Sequence, residues 1–221
     1  IELYAQQFKW TARYAGADNV LGKANVRYIE GVNTTGMDLN DPNGHDDFVT
    51  SEIHIPKGRK VHFKMRSQDV LHSAYFPHFR AQMNCVPGMV TEFAFTPTYT
   101  TTEYRELPFM QKKVENINAL RTKKSNELAA LGLGPLDPYT FDYLLLCNKI
   151  CGTSHYNMQM KVVVDTPAED KAWLSEVSKS TVLKQVEGAK VQDLDPIETQ
   201  MPIDSTGVVD TVAVSVKIAS K

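Results

Sequence analysis

Four residues in one short segment carry side chains that bind soft metal ions. Cys147 is followed by Cys151, His155 and Met158, at offsets of 4, 8 and 11 residues. Thiolate, imidazole and thioether groups are soft or borderline donors, and together they favour copper, whereas zinc rarely recruits methionine. The residue types and their spacing therefore predict a copper site in this segment.

The second cysteine decides how many ions the site holds. One Cys with a His and a weak Met would describe a mononuclear blue-copper loop. Two thiolates can bridge two copper ions, and each ion then needs its own imidazole. His155 supplies one, so the other must come from elsewhere in the chain. We predict a dinuclear site, with a disulfide or two buried free thiols as the alternative for Cys147 and Cys151.

Six histidines are available as imidazole ligands. His72 is the best second candidate, because it follows a strand and the polar turn 67–69, where a sandwich presents a residue to a neighbouring end loop. His78 is the alternative. The remaining three lie in predicted strands or in an acidic loop, and we expect them to be surface or core residues: His45, His54 and His62.

Other sulfur and aromatic residues have structural interpretations. Met160 continues the pattern of the strand that leaves the site, and Cys85 is most simply a small core residue, so we expect both in the core. Trp10, judged on residue type alone, is more typical of a core than of an electron conduit.

Composition narrows the class of protein. The chain has 221 residues, of which 42% are hydrophobic and 23% charged, which suits one domain with additions or two small domains. The net charge of −2 argues against a nucleic-acid partner, because phosphate binding needs a basic surface. No apolar run approaches the ~20 residues of a membrane helix, and the first residues lack the features of a signal peptide, so we expect the printed chain to be soluble.

The hydrophobic pattern predicts strands, then a helix, then strands again. From residue 103 to about 131, apolar residues recur at helical spacing, and the Gly- and Pro-rich segment 132–135 ends the helix. This order predicts an antiparallel sandwich with additions. The other predicted elements are strands at 7–14, 52–55, 60–66, 90–95, 141–146 and 158–164, a polar loop at 33–47, a short helix at 169–178 and a late strand at 208–216.

Three segments in this order resemble cytochrome c oxidase subunit II: Asp69–Ser73, Val86–Gly88 and Cys147–Met158. The resemblance covers roughly residues 7 to 175, with the helical segment set aside. It implies a mainly β fold, a cupredoxin-like Greek-key β-sandwich with a helical insertion. It also implies a copper domain at 1–165, with the insertion at about 103–138, and a C-terminal helix and tail at 166–221.

The resemblance implies a dinuclear CuA centre. Cys147 and Cys151 would bridge two copper ions, and His72 and His155 would be the terminal ligands. The two weaker ligands would be the Met158 sulfur and the backbone carbonyl of Lys149. By the same resemblance the domain accepts electrons from a cytochrome c, or from a cytochrome c domain of a respiratory complex. It passes them to haem in the oxidase catalytic subunit I.

The family also implies a location. Its copper domain faces the periplasm from the bacterial inner membrane, or the intermembrane space in mitochondria, and two membrane helices precede it. The printed sequence holds no such helices, so we interpret it as the soluble portion of a longer protein. The helical insertion is longer than the usual connection and favours a bacterial source and a partner-specific surface.

Two positions depart from the family pattern. The family has Glu at the position of Lys149, where the carboxylate helps to hold magnesium, so a magnesium link is doubtful in this chain. The family's aromatic segment reads Gln7-Phe8-Lys9-Trp10 here. In the family this segment has two Trp residues and includes the Trp at which electrons enter from cytochrome c. Phe8 replaces the first Trp here and Trp10 keeps the second, so we expect the docking partner or the entry route to differ. We predict electron entry at Trp10 and Phe8.

Two other functions fit a soft-donor site. One is the CuA-type domain of another copper enzyme, such as nitrous oxide reductase, and the other is a copper-storage or copper-delivery module. An acidic loop could steer a basic cytochrome c domain. An ordinary solvated loop is an equal interpretation of the same carboxylates: Asp38, Asp41, Asp46 and Asp47.

Overall fold

The computed structural model describes residues 1–192, and within them ten strands form two five-stranded sheets. The first sheet contains β1 (Glu2–Gln6), β2 (Lys9–Tyr14), β3 (Phe48–Thr50), β5 (Val61–Ser67) and β8 (Thr91–Phe95). The second contains β4 (Ile53–Pro56), β6 (His72–Phe76), β7 (Ala81–Cys85), β9 (Tyr143–Cys147) and β10 (Gln159–Asp165). The strand orders are β3-β2-β1-β5-β8 and β4-β10-β9-β6-β7.

The two sheets pack face to face around one apolar core. Along β5, β9 and β10 alternate side chains are buried, as expected for strands with one face inside. The core draws side chains from both sheets, among them Leu3, Phe63, Phe76, Leu145 and Val162. These features confirm the predicted mainly β, cupredoxin-like Greek-key sandwich.

Two strand pairs depart from the antiparallel arrangement predicted for the sandwich. β1 runs parallel to β5, and β4 runs parallel to β10, while the other strand pairs are antiparallel. Parallel neighbours arise here because the chain crosses to the other sheet between the two strands of each parallel pair, and returns in the same direction.

The helical insertion is confirmed and lies between β8 and β9. It consists of α1 (Thr101–Glu106) and α2 (Pro108–Ala129). α1 begins two residues before the predicted start because the Thr100 side chain caps it in a reciprocal capping box with Glu103. The second predicted helix is also confirmed as α3 (Pro167–Val177), and α4 (Val182–Gln192) follows it. None of the helices within residues 1–192 combines the length and apolar character needed to cross a membrane.

The predicted strand 7–14 is wrong at its start. Gln7 and Phe8 form the turn of a hairpin, and a strand that the sequence pattern did not predict, β1, precedes them. Residues 2–5 are all buried, so their sequence lacks the alternation that identifies a half-buried strand. The predicted strand 208–216 lies outside the described residues, and the division into 1–165 and 166–221 stays a prediction.

A buried charge network joins the segment between β2 and β3 to the first sheet. Arg13 in β2 is 1% exposed, and its Nε lies 2.8 Å from a Glu2 oxygen. Its NH1 group lies 2.7 Å from an Asp47 oxygen, and both terminal nitrogens donate to the Gly22 carbonyl at 3.0 Å. Buried charges are tolerated only when they are paired and hydrogen-bonded, as they are here.

The acidic loop uses its carboxylates internally. Asp46 accepts hydrogen bonds from two backbone N–H groups at 2.6 and 3.3 Å, Asp41 accepts one from Lys23 at 2.8 Å, and Asp47 binds Arg13. The loop also follows the end of β2 that lies away from the β1–β2 turn. These contacts favour the interpretation that the acidic loop is structural.

Replacing Arg13 by Met should strongly destabilise the chain. The substitution leaves the Asp47 carboxylate buried without its cation, and Glu2 then relies on its 3.4 Å contact to Arg66. This loss should lower the free energy of unfolding at pH 7 by about 3–5 kcal/mol. The loss should shrink as the pH falls, because burial already raises the pKa of Asp47 to about 6 and a protonated carboxyl needs no partner.

Urea unfolding at several pH values measures this effect. Lys64→Met is the matched control, because Lys64 and Glu92 form an exposed pair at 3.9 Å. Exposed pairs contribute little, so the control should unfold like the unmodified chain. Equal stability of the two variants would contradict a stabilising role for the buried network.

Candidate metal centre

Connecting segments from both sheets meet at the end of the sandwich where β2 begins. The backbone N–H of Gln7, in the β1–β2 turn, donates to Asp69, which lies between β5 and β6, at 2.7 Å. The Gln7 side chain donates to the carbonyl of Cys151, between β9 and β10. Ser67 also forms a bridge with Pro87. The segments that carry the predicted ligands are therefore neighbours.

Cys147 and Cys151 face each other at this end. Cys147 ends β9, Cys151 lies in the following loop, and both are buried and free. Their sulfur atoms are 3.8 Å apart, far beyond the ~2.05 Å of a disulfide bond. A metal ion at the usual thiolate distance of about 2.3 Å from each sulfur would reach both. The pair can therefore share an ion, and it forms no disulfide here.

Each sulfur has an imidazole beside it. Nδ1 of His72 lies 3.7 Å from the sulfur of Cys147, and Nδ1 of His155 lies 3.5 Å from that of Cys151. His72 is the first residue of β6, and the β6–β9 ladder, in which Ala74 pairs with Cys147, brings it to the thiols. The ligand atoms of His72, Cys147 and Cys151 all lie within 4.8 Å of one another.

Asp69 orients the His72 ring. One of its oxygens lies 2.8 Å from His72 Nε2 and 2.7 Å from the Val70 N–H. A neutral imidazole that donates from Nε2 has its lone pair on Nδ1, the nitrogen that faces the sulfurs. Burial raises the pKa of Asp69, but hydrogen bonds from the Gln7 backbone and His72 outweigh it, and the pKa is lowered overall.

Two weaker donors flank the thiols. The Met158 sulfur is buried and lies 3.8 Å from that of Cys151, and the Lys149 carbonyl oxygen lies 3.3 Å from that of Cys147. The backbone N–H of Cys147 donates to the Met158 carbonyl at 3.0 Å, which closes the loop at its base. Met160 lies in the core of the sandwich, as predicted.

Gly152 lets the β1–β2 turn pack directly on the ligand loop. Its φ is +140°, a conformation that side chains disfavour. A Cβ atom at this position would lie 2.7 Å from the Phe8 ring and 2.8 Å from the Gln7 amide nitrogen. A side chain here would push the turn away from the loop.

The two predicted electron-entry residues lie at different depths. Trp10 is 4% exposed, and its ring meets the His72 ring edge-on, with centroids 6.2 Å apart. Phe8 is half-buried and packs against Gly152. Phe8 is therefore the part of the aromatic segment that reaches the surface, and Trp10 is the part that touches a candidate ligand.

His78 lies away from the thiols. His72 begins β6, and His78 lies in the turn after β6 ends. Because a strand rises ~3.3 Å per residue, the length of β6 separates the two imidazoles. Three aromatic rings surround it with centroid distances of 5.7, 4.8 and 5.9 Å, those of Tyr104, Phe141 and Tyr143. Its imidazole packs the insertion against the sandwich, and the geometry excludes it as a partner of the cysteines.

His54 has a structural role, as the sequence predicted. Its ring nitrogens lie 2.6 Å from Asp165 and 3.2 Å from Glu52, and its ring stacks on Trp173 of α3 at 4.1 Å. These contacts attach α3 to the second sheet. His54 pairs with Val163 in β10, whereas the thiol of Cys147 lies near Gln159, at the other end of that strand.

Burial opposes ionisation of the thiols of Cys151 and Cys85 in the absence of metal. Burial and the adjacent Cys147 raise the pKa of Cys151 to about 11, and burial raises that of Cys85 to about 12. Because the thiolate is the metal ligand, an ion that binds Cys151 must displace a proton. Cys85 is fully buried and lies in the core, as predicted.

The donor set fits copper. Two thiols, two imidazoles, a thioether and a backbone carbonyl converge on a small, mostly buried volume, and copper prefers this mixture of soft and borderline donors. Sequence reasoning missed Asp69 and Gln7 as supports of the ligands. The three-residue offset of Asp69 from His72 was the available hint, but the contacts of Gln7 depend on the unpredicted turn.

Comparisons with known proteins identify relatives of this chain. No protein-family model matches the chain. It is 34% identical over 178 residues to the alternative cytochrome c oxidase subunit 2 of Bradyrhizobium diazoefficiens, covering 80% of this chain and 50% of that protein. It is 25% identical over 126 residues to cytochrome c oxidase subunit 2 of Thermostichus vulcanus, covering 57% of this chain and 26% of that protein.

Among solved structures, the periplasmic domain of subunit II of cytochrome oxidase from Bradyrhizobium japonicum matches with 17% identity and a TM-score of 0.46, over 81% of this chain and 92% of that one. The chain spans about half the length of the first curated relative and about a quarter of the second. The chain is therefore similar, at 34% identity across four fifths of its residues, to a cytochrome c oxidase subunit 2.

Proposed function

We propose that this chain is the electron-accepting domain of a cytochrome c oxidase, with a dinuclear CuA centre held by Cys147, Cys151, His72 and His155. The observation that supports it most is the pair of sulfurs 3.8 Å apart with a separate imidazole beside each. Two ions that share two thiolates need one imidazole each. A mononuclear blue-copper site takes two imidazoles and one thiolate, so it would leave the second thiolate unused.

Met158 and the Lys149 carbonyl complete the proposed ligand set. Each lies beside a different sulfur, which suits one weak ligand per ion. The strength of such weak ligands tunes the reduction potential of a copper site. We propose no magnesium ligand at Lys149, because magnesium takes oxygen ligands and the side chain here is an exposed amine.

When bound, the copper pair supplies a one-electron couple. The chain's own residues keep the cost of each transfer low. Cys147, Cys151 and Met158 are buried, so little water must reorient when the charge changes. His72 is fixed by Asp69, and the loop is closed at its base, so the ligands need to move little.

We propose that electrons enter through Phe8 and Trp10. Phe8 is partly exposed beside the ligand loop, and Trp10 carries the path inward to the ring of His72. The donor is a cytochrome c, or a cytochrome c domain of a respiratory complex. The acceptor is haem in the catalytic subunit I, where the oxygen chemistry takes place.

The proposed location follows from this role. The domain faces the periplasm from the bacterial inner membrane, or the intermembrane space in mitochondria, and helices of the longer protein attach it to the membrane. The names of the two curated relatives, both oxidase subunits 2, support this assignment.

Metal loading tests the proposed centre directly. The purified chain, reconstituted with excess copper under reducing conditions and then oxidised, should hold two copper ions and turn purple. One electron shared equally by two copper nuclei should give a seven-line hyperfine pattern in EPR. A single blue copper would show a mononuclear site, and a colourless chain that retains Cu(I) would show a delivery module. Either result would overturn the proposal.

Substitution of the two histidines separates ligand from scaffold. His72→Ala should abolish the seven-line pattern, because one ion loses its imidazole. His78→Ala should keep it, because His78 packs among aromatic rings away from the thiols. EPR of the copper-loaded variants measures both effects. The reverse outcome would assign the second imidazole to His78.

Metal affinity should rise with pH. Since the pKa of Cys151 is raised to about 11, this thiol is protonated near neutral pH and the ion must displace its proton. Affinity for Zn²⁺, used as a probe without redox chemistry, should increase about tenfold per pH unit for each thiol proton displaced, between about pH 6 and pH 8. Chelator competition measures it. In Cys151→Ser the plot of log affinity against pH should be less steep by one unit, because one thiol proton fewer is displaced. An unchanged slope in that variant would contradict the assignment.

A further inference from the structure

Gln7 contacts both of the segments that carry candidate ligands. Its backbone N–H donates to one Asp69 oxygen at 2.7 Å, and the other Asp69 oxygen lies 2.8 Å from His72 Nε2. Its side-chain amide donates to the carbonyl oxygen of Cys151 at 2.5 Å. One residue of the β1–β2 turn thus connects the His72 side of the centre with the Cys151 side.

The turn belongs to a different sheet from the ligands. His72 and Cys147 lie in β6 and β9 of the second sheet, whereas the turn joins β1 and β2 of the first. Pairing of Gln6 with Lys9 closes the turn. The Gln68 N–H donates to the Ala5 carbonyl at 2.9 Å, which holds the Asp69 segment on the same hairpin. The first sheet therefore fixes the positions of Gln7 and Asp69 relative to the candidate ligands.

The contact between turn and loop is close-packed. A Cβ atom on Gly152 would meet both the Phe8 ring and the Gln7 amide at under 3 Å. The turn therefore has little freedom to move relative to the loop that holds Cys151, and a loss of the Gln7 amide would remove the polar contact at this point.

The two sides of the centre receive different support. The His72 side has a carboxylate, Asp69, which favours positive charge on an ion bound there. On the Cys151 side, the corresponding contact is the hydrogen bond that the neutral Gln7 amide donates to the Cys151 carbonyl oxygen. The two sides also differ in their weak donors, the Lys149 carbonyl and the Met158 sulfur. Even sharing of an electron needs these differences to offset one another, so a change at Asp69 or Gln7 alone should unbalance the two ions.

We propose that Gln7 and Asp69 are positioning residues that set how evenly the unpaired electron is shared between the two copper ions. The inference rests on the proposed dinuclear centre. Gln7 fixes the spacing of the two sides through its paired contacts. Asp69 fixes the His72 ring and supplies the one carboxylate that contacts a candidate ligand in the described part of the chain.

The test compares the copper-loaded chain with Gln7→Ala, Gln7→Glu and Asp69→Asn. Gln7→Glu keeps the size of the side chain but replaces its N–H donor by a negatively charged carboxylate, and Asp69→Asn keeps the shape but removes the charge. All three should still bind two copper ions, and their EPR should change from seven evenly spaced lines to an uneven pattern. Asp69→Asn should also raise the reduction potential, because a negative charge near the oxidised centre is lost.

Gln68→Ala is the matched control. Gln68 is exposed next to Asp69, and its hydrogen bond to Ala5 uses only the backbone. It should keep the even pattern and the potential of the unmodified chain. The proposal is overturned if the Gln7 and Asp69 variants keep the even pattern, or if Gln68→Ala disturbs it equally. If the unmodified chain itself lacks two copper ions and the seven lines, the proposed function fails instead.

Discussion

The register of the β6–β9 ladder is the constraint on which the candidate metal centre depends. Ala74 pairs with Cys147, and this pairing places His72 beside the thiol that ends β9. Side chains of a strand alternate between its two faces, so a slip of one residue would turn His72 away from the sulfurs. The core side chains on β6 and β9 stabilise the register, because the same slip would also move Phe76 and Leu145 out of the core.

The two sheets contribute different parts of the candidate site. The second sheet and its loops carry every candidate ligand, and the first sheet supplies the turn that packs on the ligand loop and hydrogen-bonds to it. The buried network around Arg13 stabilises the first sheet near its other end. The geometry of the ligands is thus a property of the whole sandwich, although the ligands themselves are close in sequence apart from His72.

Sequence reasoning found what local spacing encodes. The offsets after Cys147 predicted residues that the fold brings close together, and the helical periodicity predicted the insertion. It failed where burial is complete or where partners are distant. β1 has no alternating pattern because residues 2–5 are all buried. The contacts of Gln7 and the parallel strand pairs join segments that are distant in sequence. The periodicity of a single segment carries no information about its distant partners.

The insertion enters β9 at the end opposite Cys147. The chain passes from α2 through Phe141 to Tyr143, beside the aromatic rings around His78, and only then runs along β9 to the thiol. The full length of β9 therefore separates the candidate ligand Cys147 from the insertion. A change in the length or charge of the insertion would leave the geometry of the candidate ligands in place.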